Sequence, residues 1–263
     1  MSAAAKGATA VDPAPGPAAP LSVESGSGPR AAAGHTSERA TAPRRSPGSV
    51  IAGMSDAERA ALWRQRLHEA EAGLTRFLVS RGGDADLEAW FGLQAELFAD
   101  LPLSSLDMPS EWQRVFFRGQ ALMERFLISR YGEDILAEWA ASNAEVHRTV
   151  EPDFGRGAAD PIRRIARQAE LYGSDYELDV PPGPGPATTA ALAITHCAIW
   201  DYREKARTNG VRLTLASPCT YCTHAMSANV RAKGYDVSYE LRQDSDGHGC
   251  HWRATAPNTA QEA

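Results

Sequence analysis

Val237-Ser238-Tyr239-Glu240-Leu241-Arg242 alternates apolar and polar residues, and Cys250-His251-Trp252-Arg253-Ala254 repeats the pattern after a turn over Asp244–Gly249. Strict period-two alternation is the mark of a half-buried strand, so the two runs predict an antiparallel hairpin. Val237, Tyr239 and Leu241 fall on one face, and Ser238, Glu240 and Arg242 on the other. This ending sets the fold class at α+β, because almost everything before residue 174 has a different period.

Working back from the hairpin, Pro218 opens a helix that continues through Met226 and Val230 to a stop at Gly234. Val211–Leu215 reads as a short strand, Ile199–Arg207 as a short helix ended by Asn209-Gly210, and Thr188–Thr195 as a strand of small apolar residues. Tyr176–Val180 alternates like a strand. The run Pro181-Pro182-Gly183-Pro184-Gly185-Pro186 is a loop, since proline can join neither a helix interior nor an inner strand.

Residues 54–173 are helical in pattern. Ser55 and Glu58 form a capping box, and Leu62, Trp63, Leu67, Leu74, Phe77 and Leu78 follow at helical spacing. Further helices are expected from Asp84 to Asp100, from Pro109, from Glu133 to Val150 and from Ala158 to Tyr172, with Gly82-Gly83 ending the first. Arg76-Phe-Leu-Val-Ser-Arg81 resembles Arg125-Phe-Leu-Ile-Ser-Arg130, and the match continues from Leu87 and Trp90 to Leu136 and Trp139 without a gap. The repeat predicts two helical hairpins packed as one layer, with Trp90 and Trp139 in the core or lining a cavity between them. Arg156, Arg163, Arg164 and Arg167 give the last helix a basic face, either paired with acids and solvent or able to hold an anion.

The 263 residues are 43% hydrophobic and 23% charged, ordinary for a globular chain. Residues 1–53 are rich in Ala, Pro, Gly and Ser and read as a disordered tail, as do 257–263; the cysteine-containing α+β region spans 174–256. A net charge of −6 argues against nucleic acid or an anionic membrane as the main partner, and no apolar run is long enough to span a membrane. No basic segment followed by an apolar one marks the N-terminus, so a cytoplasmic protein with reduced thiols is expected. The Ala/Pro-rich tail and the preference for arginine over lysine fit a high-GC bacterial gene and specialised biosynthesis.

All four cysteines, Cys197, Cys219, Cys222 and Cys250, sit near the C-terminus, and three have a histidine one or two residues away: His196, His224, and His248 with His251. Four thiols can close a tetrahedral zinc site or hold an iron–sulfur cluster, and Cys219-Thr-Tyr-Cys222 has the two-residue gap common to both. Alternatively, a cysteine in the first turn of the Pro218 helix feels the helix dipole and becomes a nucleophile, with His224 or His196 taking its proton. The plainest alternative is that the four are small core residues.

The stretch from Cys197-Ala-Ile-Trp200-Asp201-Tyr202 through the Cys219–Cys222 helix start and Tyr235–Glu240 to Gly247-His-Gly-Cys-His-Trp252 resembles the L-2-amino-thiazoline-4-carboxylic acid hydrolase family. The broader fold resembles small-ligand domains of the 4-vinyl-reductase type. The first resemblance implies a hydrolase that opens a C–N bond in a small sulfur- or nitrogen-containing ring. The implied catalytic set is Cys219, Cys222, His224, His196 and Asp201, with Arg203 or Arg253 on a substrate carboxylate. Many members carry an acidic residue soon after the helix cysteine; here His224 stands in that stretch. The second resemblance implies a domain that binds a small ligand without turning it over.

Overall fold

The computed structural model describes residues 54–257, except 82, 104–106, 184 and 245–246. The expected tail over 1–53, nearly all of that over 257–263, Gly82 and the centre of the Asp244–Gly249 turn lie outside the described residues.

Among the described residues the fold is α+β: seven α-helices and one four-stranded antiparallel sheet. Helix α1 (Asp56–Arg81) starts at the expected capping box: Ser55 N–H donates to Glu58 Oε2 at 2.7 Å, and Glu58 N–H donates to Ser55 Oγ at 3.3 Å. Helices α2 (Asp84–Phe98), α3 (Pro109–Tyr131) and α4 (Leu136–Val150, after a 3-10 turn over Glu133–Ile135) complete the helical layer. Their core is Leu74, Phe77, Leu78, Trp90, Met123, Leu127, Leu136 and Trp139.

The repeat is visible in the contacts. Ser80 Oγ donates to the Phe77 carbonyl and Ser129 Oγ to the Phe126 carbonyl; Arg81 lies over Phe77 and Arg130 over Phe126. Each arginine then crosses to the other copy, Arg81 to Glu138 of α4 at 2.9 Å and Arg130 to Asp86 of α2 at 2.5 Å. The two repeated tryptophans are both fully buried but differ in their hydrogen bonds. Trp90 Nε1 donates to Thr75 Oγ1 at 2.7 Å, whereas Trp139 Nε1 has no partner among the described residues and its ring stacks on Tyr221.

Helix α5 (Ala159–Tyr172) packs on the sheet. Its Ile162, Ile165, Ala166 and Ala169 meet Tyr176, Leu192, Trp252 and Ala254, while its arginines face away from this core. Gly173 stops it at φ 91, a left-handed conformation that glycine adopts without strain. The strands β1 (Asp175–Asp179), β2 (Thr189–His196), β3 (Asp236–Asp244) and β4 (Gly247–Thr255) lie in the order β1-β2-β4-β3. The expected C-terminal hairpin is β3–β4, in a register that sets Val237 opposite Ala254, Tyr239 opposite Trp252 and Leu241 opposite Cys250. Its edge position leaves Tyr239 and Leu241 about half exposed.

Helices α6 (Ala198–Thr208) and α7 (Cys219–Ala232) follow β2. The expected strand over Val211–Leu215 does not form; this segment is an irregular connection. Leu215 is drawn inward to the helical core, 1% exposed, and its carbonyl accepts Arg203 Nη2 at 2.8 Å, while Val211 stays exposed. Filling that core overrides the short alternation. Helix α7 packs along α4, where Tyr221 stacks on Trp139 with centroids 4.2 Å apart and accepts a 2.6 Å hydrogen bond from Asn143 Nδ2. The contact requires Gly73: a Cβ there would sit 1.6 Å from Asn143 Oδ1 and 2.9 Å from Asn143 Cα.

Candidate functional site

Cys197 and Cys219 lie at the ends of elements, Cys222 and Cys250 inside them. Cys197 is the residue before the first turn of α6, held at the end of β2 by a backbone bond from its N–H to the His248 carbonyl at 2.9 Å. Cys219 is the first residue of α7, with its N–H donating to Ser217 Oγ at 3.1 Å. Cys222 follows three residues later, and that spacing puts both thiols on one side of the helix. Cys250 lies on β4. Gly249 before it passes so close to β2 that a Cβ would stand 2.3 Å from the Ile194 carbonyl oxygen.

These four positions line one cavity. Its other walls are mostly apolar, among them Ile165, Ala169, Ile194, Met226 and Trp252, with Gln168, Ser174 and Thr223 as neutral polar members. Among the described residues no Asp, Glu, Lys, Arg or His side chain lines it. All four cysteines are free thiols. Among the described residues no three His, Cys, Asp or Glu side chains form a group that could hold a metal ion, so the thiols share a cavity without closing on a single point.

Two indole N–H groups aim at sulfur. Trp200 Nε1 donates to Cys219 Sγ at 3.4 Å, with its ring stacked on His248 at 3.8 Å between centroids. Trp252 Nε1 donates to Cys250 Sγ at 3.1 Å. Burial governs the titration of the thiols. It pushes Cys222 well above the ordinary range, and neighbouring Cys250, Cys197 and Cys219 push the same way. Burial also lifts Cys250, to about 12, with the Trp252 N–H pulling against it. Cys197 is raised by burial and partly relieved by the backbone N–H groups of Trp200 and Ile199. These three thiols are protonated at neutral pH unless a cation enters the cavity.

The histidines lie elsewhere. His224 is exposed on α7. His196 and Asp201 pair with each other, Nε2 to Oδ2 at 2.6 Å, with both side chains substantially open to solvent. Neither His224, His196 nor Asp201 lines the cavity. Arg203 is committed to the Leu215 carbonyl and lies 3.6 Å from the buried Glu124, and Arg253 is exposed on β4; neither lines the cavity.

Compared with protein-family models, curated proteins and solved structures, the chain matches none. Site and fold are therefore read from its own residues. What the cysteine spacing alone does not reveal is the role of the tryptophans. Trp200 comes three residues after Cys197 and Trp252 two after Cys250, so each indole was within reach of a thiol in the sequence. Trp200 instead reaches the more distant Cys219 across the cavity. No helix among the described residues is long and apolar enough to cross a membrane.

Proposed function

We propose that this chain is a thiolate-ligated metalloprotein in which Cys197, Cys219, Cys222 and Cys250 hold an iron–sulfur cluster. The observation that carries this reading is that every cysteine of the chain lines one cavity from which all charged and imidazole side chains are absent. The donor set fits: four sulfurs, mostly apolar walls, and two N–H groups aimed at sulfur, the kind of hydrogen bond that tunes such clusters. A single tetrahedral zinc ion takes sulfur at about 2.3 Å and would need the four thiols drawn to one point. A cluster takes its cysteines around its periphery and asks only that they line one cavity, as these four do. When bound, the cluster would supply redox chemistry with all four cysteines as ligands; a Lewis-acidic iron for a lyase reaction on a small molecule would require one of the four to stay off the cluster. The chain's part is to hold the four sulfurs and to keep water out with Ile165, Met226 and Trp252. It also presents the N–H groups of Trp200 and Trp252. Thiols kept free for this purpose suit a reducing cytoplasm, with a small molecule rather than nucleic acid or a membrane as partner.

The test is iron, zinc and acid-labile sulfide on protein purified without oxygen, repeated for each Cys→Ser variant. Iron and sulfide in the wild type, lost in all four variants, support the reading. Stoichiometric zinc with the same dependence moves the ligand set to a single ion. Metal-free protein that also fails anaerobic reconstitution overturns it.

A second reading, a thiol hydrolase of the kind the family resemblance implies, is favoured by the His196–Asp201 pair and by Cys219 at the first residue of α7. An aspartate holding an imidazole is how general bases are oriented, and the backbone N–H groups of a helix start can hold negative charge that develops on a substrate. Hydrolysis of 2-amino-thiazoline-4-carboxylate by metal-free protein, abolished in Cys219→Ser and His196→Ala, would select this reading over the first.

A further inference from the structure

On the side of α5 away from the sheet, a second cavity of about 340 Å³ opens among Arg156, Arg163, Arg164, Arg167 and Lys233, with Phe154 at its rim. Two acids line it, Glu151 and Asp160, so five cations face two carboxylates, an excess of three. Both carboxylates are already engaged. Glu151 is gripped by Arg164 and Arg167 and lies 3.4 Å from Arg66. Asp160 accepts the backbone N–H groups of Phe154 at 3.1 Å and Arg156 at 2.9 Å. Arg156 lies over the Phe154 ring, and among the described residues neither Arg156 nor Arg163 has an acidic partner. The Nε groups of Arg163 and Arg167 are buried without acceptors.

The ion network behind the cavity shares Arg164, Arg167 and Glu151 with it and does not relieve that excess. Arg66, Arg164 and Arg167 face Glu69 and Glu151, and the remaining member, His147, is neutral at pH 7 because burial holds it down to about 4. Burial, with Arg66 adding to it, pulls Arg164 down to about 9. A buried cationic excess is costly, and an anion in the adjoining cavity relieves it.

We propose that this cavity binds a small molecule carrying a pyrophosphate group, with the phosphoryl oxygens on Arg156, Arg163, Arg167 and Lys233 and the rest of the molecule against Phe154. Guanidinium forks match phosphoryl oxygens two at a time. A lone carboxylate would leave most of the excess charge unmet, whereas two linked phosphoryl groups spread theirs along the row of arginines. The volume suits a ligand of metabolite size rather than a single small ion. The exposed Phe154, 58% open, offers a face for a planar group such as a nucleobase. Helix α5 separates this cavity from the four thiols, so the proposal stands independently of what they hold.

The test is calorimetric titration of the full chain with inorganic pyrophosphate, ADP, adenosine and citrate. Saturable binding of pyrophosphate and ADP is expected, with adenosine inactive. Arg163→Ala and the exposed Arg156→Ala each weaken pyrophosphate about tenfold or more. Arg207→Ala on α6, paired with Glu204 away from the cavity, leaves it unchanged. Phe154→Ala weakens ADP and leaves pyrophosphate alone. Absence of saturable pyrophosphate binding, equal binding in Arg163→Ala and Arg156→Ala, or citrate binding as tightly as pyrophosphate would each overturn the proposal. Arg156→Ala keeps the test decisive should Arg163→Ala fail to fold.

Discussion

Trp200 reaches from α6 to Cys219 at the start of α7 and places its indole N–H 3.4 Å from the sulfur. Its ring is clamped flat against His248, so this donor is fixed in direction. In a cavity lined by no charged side chain, an oriented N–H dipole acts on the sulfur with little screening. Trp200→Phe keeps an aromatic ring for His248 and removes only the donor. In protein reconstituted with iron and sulfide, its metal content is expected to match the wild type while the reduction potential falls, because N–H donors favour the more negative reduced state. A potential equal to that of the wild type would remove Trp200 from the site's electrostatics.

Gly73→Ala is expected to be among the most damaging small substitutions in the chain. The added carbon meets the Asn143 backbone as well as its side chain, so rotating Asn143 away does not make room. A cost of about 3 kcal/mol follows from overpacking a close helix contact. Urea denaturation measures it; Gly92→Ala, where nothing lies within 4 Å of the added carbon, is the control and should be neutral or mildly stabilising.

The repeated tryptophans should respond unequally to the same change. Trp90→Phe loses a satisfied hydrogen bond to Thr75, whereas Trp139→Phe discards a buried N–H that has none. Trp90→Phe is expected to cost about 1–2 kcal/mol more than Trp139→Phe. Equal losses in chemical denaturation would mean that ring volume alone decides both sites.

His147 gives the fold a pH dependence of known sign. Burial, with Arg164 adding to it, lowers its pKa from 6.5 to about 4, so the unfolded chain takes up a proton at a pH where the folded chain still refuses it. Stability is complete above pH 6.5 and is lost as the pH falls toward 4, by on the order of 3 kcal/mol across that window. Glu69 is held below its ordinary range: burial opposes this, but the His147 hydrogen bond and Arg66 prevail, and its own contribution is lost only below about pH 4.5. Denaturation midpoints at pH 7 and pH 5 should therefore converge in His147→Gln. An unchanged slope in that variant would place the proton elsewhere.

The hairpin, the capping box and the helical repeat were legible in the sequence because each rests on a local period: two, 3.6, or the 49-residue offset that separates Trp90 from Trp139. The Val211–Leu215 strand misread the same kind of signal. One leucine needed by a core formed far earlier in the chain outweighed five residues of alternation. That the four cysteines would share a cavity was an open alternative in the sequence, because no local period brings Cys197 and Cys250 together. Only the β2–β4 pairing, with Ile194 opposite Cys250, does so. The histidines misled by proximity along the chain: His224 lies two residues from Cys222, yet on a helix that step points it away from the thiol.

The close passage of Gly249 beneath the Ile194 carbonyl has an evolutionary consequence. Position 249 is constrained by the backbone approach of β2 whatever the residue at 250 carries. A homologue with serine, alanine or valine at position 250 is expected to keep the glycine, because the close passage of the two strands demands it and the sulfur does not.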